Sequence, residues 1–164
     1  MRMKFEESKA SGLHSQLASL VGEWQGTTKT WFEPDKLADE SPTTGTIKPV
    51  LGGRFLLHEY SGSMSAKSLD GIAMYGFDIA TNKFQMAWAN SFHMSTGILF
   101  SEGEPGERFA VTGSYDAGGP EVPRWGWRTE IDVVDNDNIV ITAYNISPEG
   151  DEAKATETRY TRKN

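Results

Sequence analysis

The side chains able to carry acid–base or metal chemistry are few in this 164-residue chain: three histidines, His14, His58 and His93, and no cysteine. His58 stands next to Glu59, so His58, Glu59 and His93 form the only histidine–carboxylate grouping to weigh as a metal set. The same residues offer His93 or Glu59 as a proton shuttle for an isomerase- or cyclase-type enzyme. Three ligands of undecided facing do not make a metal site, and none is expected. No Gly-x-Ser-x-Gly elbow is present, because Gly62-Ser63 lies in a serine-rich turn with no closing glycine. Gly103 and Gly106 flank Glu104-Pro105, and Gly118-Gly119 precede Pro120, with no lysine placed to meet a phosphate. Asp135 to Asn138 lacks the glycine and the distant glutamate of a calcium loop and reads as a hairpin turn. No residue is therefore assigned a catalytic role.

Binding is better supplied than catalysis. Trp88, Trp125 and Trp127 offer broad apolar faces that suit a concave site, and Asn90, Thr129 and His93 would orient a ligand by hydrogen bonds. The plainer fate of such inward aromatics is packed core. A small, largely apolar ligand is the partner expected.

These side chains need strands to position them. Trp125, Trp127, Thr129, Ile131 and Val133 alternate with Arg124, Arg128, Glu130 and Asp132, which predicts a strand with the first set inward. Phe84, Met86, Trp88 and Asn90 likewise share one face. The stretch Phe55 to Tyr60 is apolar on both faces, so the facing of His58 and Glu59 stays open. About ten strand-like stretches recur, near residues 23–32, 43–50, 54–61, 71–78, 84–90, 94–101, 107–115, 125–134, 138–146 and 153–162. No gap admits a crossover helix, so neighbours should pair antiparallel, up and down. Leu13, Leu17, Leu20 and Val21 predict one short helix, capped by Ser11 and ended by Gly22, that plugs one end of a barrel; residues 1–10 are expected to be flexible. The expected fold is an all-β, single antiparallel barrel over residues 1–164, with a two-sheet sandwich as the alternative.

A formal charge of −7 repels phosphate backbones and anionic lipid, so neither nucleic acid nor membrane is an expected partner. Met1 to Ala10 carries no apolar run, which points to the cytoplasm, and the Asn145-Ile146-Ser147 sequon reads as a strand end. A filled barrel forming a homodimer through its outer sheet is the third functional reading.

Leu20-Val21-Gly22-Glu23-Trp24, Leu51-Gly52-Gly53-Arg54-Phe55-Leu56, Gly71 through Tyr75-Gly76-Phe77-Asp78, Trp88 with Asn90, and Tyr160-Thr161-Arg162 fall in the order of a bacterial family of calycin-like domains of uncharacterised function. The chain resembles that family nearly end to end, and through it lipocalins, fatty-acid-binding proteins and nitrobindins. The resemblance implies a calycin barrel closed at one end by Gly22, Trp24 and Arg162, with the guanidinium over the indole; Arg159 is the partner if the last strand is registered the other way. Nitrobindin-like relatives hold haem through a histidine late in the chain, and this sequence has none after His93, which leaves only that residue as an axial ligand.

Overall fold

Apolar side chains that alternate over many short stretches are buried only if those stretches pair side by side, and in the computed structural model, which describes residues 2–164, they do. The strands are β1 (Gly22–Glu33), β2 (Lys36–Val50), β3 (Phe55–Met64), β4 (Lys67–Asp78), β5 (Lys83–Asn90), β6 (Leu99–Gly103), β7 (Phe109–Tyr115), β8 (Trp125–Asp135), β9 (Asn138–Ile146) and β10 (Glu152–Arg162). Each pairs antiparallel with the next, and β10 returns to β1, so these strands close into a barrel rather than stacking as a sandwich. Closure leaves no sheet edge unpaired. The seams are unequal: β3 and β4 match over ten pairs, from Phe55↔Gly76 to Met64↔Lys67, whereas β6 and β7 match only at Ser101↔Gly113 and Glu102↔Thr112.

Two expected strand starts move furthest. β2 begins at Lys36 rather than near 43, because its inward residues Ser41, Thr43 and Ile47 alternate correctly but are mostly small and polar, which hides the period from a search for apolar residues. The stretch expected at 94–101 becomes strand only at Leu99; before it, Met94 (φ 62°) and Ser95 (φ 53°) take the left-handed conformation and Gly97 N–H closes a turn onto Met94 O.

The N-terminus also differs from expectation. Residues 2–11 are helical (α1, Arg2–Ser11), and a second helix, α2 (Leu13–Ala18), follows at once. Ser11 ends α1 instead of capping α2, and Gly12, with no side-chain cap, stands at the junction. A Cβ there would press on Ser8, whose hydroxyl contacts both the His14 backbone N–H and Nδ1. The polar look of the segment concealed one apolar anchor: Phe5 is buried against His14, with the Arg54 guanidinium 4.5 Å from its ring centre.

Leu17 and Leu20 cover the end of the barrel over Trp24, Phe84, Phe109, Ile131 and Ile139. Trp24 has no solvent exposure, donates Nε1–H to Leu20 O and lies under the Arg162 guanidinium at 4.3 Å. Arg162, opposite Trp24 in the register, donates to the backbone carbonyls of Val21 (2.6 Å), Ser19 (3.3 Å) and Asn136 (3.0 Å). A Cβ on residue 22 would collide with Arg162 Nη1, which is why glycine stands there. Arg159, the other partner weighed from sequence, lies on the outer face and pairs with Glu157.

Candidate functional site

Halfway along the barrel the inward positions shrink. Thr28, Thr43, Thr129, Thr158 and Ala73 replace the Phe and Ile that fill the helix end, and a cavity of about 280 Å³ opens towards the far mouth. One wall is aromatic. Trp88 stacks on Trp127 (ring centres 5.2 Å, 18°), and His93 stacks on Trp88 (5.3 Å, 23°) while the Tyr115 ring meets it edge-on at 4.6 Å. The opposite wall carries hydroxyls: Thr28 Oγ1 contacts Thr43 Oγ1 and Thr158 Oγ1, both at 2.7 Å.

The floor is a buried polar cluster. His58 Nδ1 meets Tyr75 Oη at 2.8 Å and Nε2 meets Tyr160 Oη at 3.0 Å, while Tyr60 Oη accepts from Trp88 Nε1 at 2.8 Å. Burial holds the His58 imidazole well below its usual value, at about 4, and does the same to His93. Burial also raises Tyr60 and Tyr160 above the ordinary phenol value. No Lys, Arg, Asp or Glu lines the cavity, so near neutral pH its described lining bears no formal charge.

The predicted site residues fall as follows. Trp88, Asn90, His93, Trp127 and Thr129 all line the cavity. Asn90 does so as a turn former, its Oδ1 accepting from the backbone N–H of Phe92 (2.9 Å) and His93 (2.6 Å), which aims His93 back over the indoles. Trp125 does not line the cavity: it opens β8 opposite Tyr115, one inward position beyond Trp127, where the wall ends. Val133 is likewise not inward in effect; it is 52% exposed, because β8 overruns the packed layer of Phe109 and Ile131 and bulges after it. Glu59 lies on the outside, 3.5 Å from Lys48, so it neither completes a metal set with His58 and His93 nor moves protons in the cavity. No cluster of three or more metal-ligating side chains occurs among the described residues. Haem does not fit the described residues either: no cation among them lines the cavity to meet its propionates, and His93 is packed against Trp88, Trp127 and Tyr115 with Nδ1 enclosed.

Several lining residues escaped sequence reasoning. His58 and Tyr60 were hidden by the two-sided apolarity of β3. Bulges at Trp31 and near Ala155 bring Trp31 with Phe32, and Ala155 with Thr156, to the cavity despite their adjacent numbers. Asn145, the sequon residue, accepts from Tyr115 Oη at 2.7 Å inside the mouth.

A family model matches residues 9–162 and describes a protein of unknown function, DUF1579. The chain belongs to the DUF1579 family. Among solved structures this DUF1579 member is similar to Rv2717c from M. tuberculosis, at 13% identity and a TM-score of 0.61, covering 94% of this chain and 99% of that one. It is also similar to a de novo designed fluorescence-activating β-barrel, at 10% identity and a TM-score of 0.48, covering 89% and 95%. No curated protein matches it. The likeness to Rv2717c bears on fold, which it supports, and fold leaves chemistry open.

Proposed function

We propose that this DUF1579 barrel, built on the calycin plan, binds one small, uncharged, planar apolar molecule in its cavity. The observation that carries the reading is a cavity of about 280 Å³ with a stacked Trp88–Trp127 wall and no charge among its described lining residues. Flat indoles favour a flat guest by dispersion and offset stacking. Burying an ion where no counter-charge faces it costs several kcal/mol, about the difference between tight and undetectable binding. A cytoplasmic location goes with this reading. The proton-shuttle alternative loses Glu59 to the outer face and keeps only imidazoles that burial disarms as bases near neutral pH.

Equilibrium dialysis against 2-ethylnaphthalene and 2-naphthoate tests the reading. The neutral compound should be retained and the anion not, and Trp127→Ala should weaken retention about tenfold with the fold intact by circular dichroism. Retention of neither compound, or of the anion equally, would overturn it.

A further inference from the structure

Resting on the cavity reading above, we infer that the molecule held here carries a hydrogen-bond acceptor, a carbonyl or ether oxygen, that meets phenol O–H groups on the cavity floor.

A neutral imidazole has one N–H and one lone-pair nitrogen. His58 touches one phenol with each, Tyr75 through Nδ1 and Tyr160 through Nε2. Whichever tautomer is present, one tyrosine gives its O–H to the imidazole and the other receives the imidazole N–H. The receiving tyrosine keeps a proton with no acceptor among the described residues. Tyr60 repeats the situation independently, since its oxygen accepts from Trp88 Nε1 and its own O–H stays unassigned. The floor therefore holds two surplus O–H donors, on rings packed around one imidazole at 5.0, 5.9 and 5.7 Å for Tyr60, Tyr75 and Tyr160.

No acceptor of the described lining stands within hydrogen-bond distance of those protons, the unpartnered His93 Nδ1 included. Asn90 Oδ1 takes two backbone N–H groups, and Asn145 Oδ1 takes Tyr115 Oη. Thr28 shares its hydroxyl with Thr43 and Thr158 on the far wall. Buried donors without partners are costly, so a guest that brings an acceptor gains relative to one that does not. A carboxylate would bring acceptors too, but in a lining without a cation it stays disfavoured. Neutral aromatic ketones, aldehydes, lactones and ethers remain as the ligand class.

The test compares 2-acetylnaphthalene with 2-ethylnaphthalene, which have nearly the same shape and differ in one carbonyl. Wild-type protein should bind the ketone about tenfold more tightly. In Tyr60→Phe, which keeps the ring and loses the hydroxyl, that ratio should fall. The infrared carbonyl stretch of bound, ¹³C-labelled 2-acetylnaphthalene should lie below its value in hexane, a readout that needs no variant. Equal affinity for both compounds, or a stretch matching hexane, would overturn this inference while leaving the cavity reading intact. Binding of neither compound would overturn both.

Discussion

The two ends of this barrel are built by the same strands with the same alternation, yet one end is solid and the other hollow. At the helix end the inward positions are Trp24, Phe84, Phe109, Ile131 and Ile139, and Arg162 finds a backbone acceptor for each terminal nitrogen. At the mouth the inward positions include threonine and alanine beside stacked indoles, His93 Nδ1 is left without a partner, and Phe32 and Phe92 stand 60% and 53% exposed. Period-2 alternation decides only which side chains enter a barrel. Side-chain volume, layer by layer, decides whether they fill it.

The contrast should appear first in stability. Trp24→Ala removes a fully enclosed ring from the solid end and should cost about 3–5 kcal/mol in urea denaturation. Trp127→Ala only enlarges an existing hollow and should cost less, about 1–3 kcal/mol. Equal costs would erase the distinction between the ends.

Acid should act through the floor of the hollow half. His58 has a folded value of about 4 against 6.5 unfolded, so the unfolded chain takes up its proton first as pH falls. The stability tied to a neutral His58 is complete above pH 6.5 and is lost on going down to about pH 4, a change of about 3 kcal/mol. His14 and His93, also lowered by burial, act in the same sense. Denaturation midpoints at pH 7.5 and 4.5 should therefore differ, and His58→Gln, which keeps one donor and one acceptor, should narrow the gap.

The smallest effect sharpens the assignment of the closing arginine. Arg162→Ala strips donors from three carbonyls and a cation from Trp24, and should cost about 2 kcal/mol. Arg159→Ala removes an exposed guanidinium from Glu157, which is largely buried but keeps Lys154 at 2.9 Å, and should cost less, about 1 kcal/mol or under. Thermal unfolding of the two variants side by side separates them.

The solid end was the more legible half in the sequence. Gly22, Trp24 and Arg162 meet as the resemblance implied, because that contact joins the two ends of the chain and depends on few intervening details. Strand period and turn chemistry were enough for the antiparallel order, with Asp135 Oδ1 accepting from Asp137 N–H and Asn138 Nδ2 at the expected hairpin. The hollow end was legible only where large and charged residues alternate, as around Trp88 and Trp127. β3 carries apolar residues on both faces, so nothing local decided that His58 enters and Glu59 does not; pairing with β2 and β4 decides it. Bulges reverse parity at Trp31 and Ala155 without leaving a mark in composition.

The short match between β6 and β7 has its own consequence. With ladder pairs only at Ser101↔Gly113 and Glu102↔Thr112, and with the Ser101 hydroxyl buried and unpartnered, this is where the cylinder's girdle of amide bonds is thinnest. Separating the staves there sacrifices the fewest bonds, so amide protons along Leu99–Gly103 should trade with deuterium ahead of those in β3 and β4, and the tube should loosen from its flank rather than from its lid.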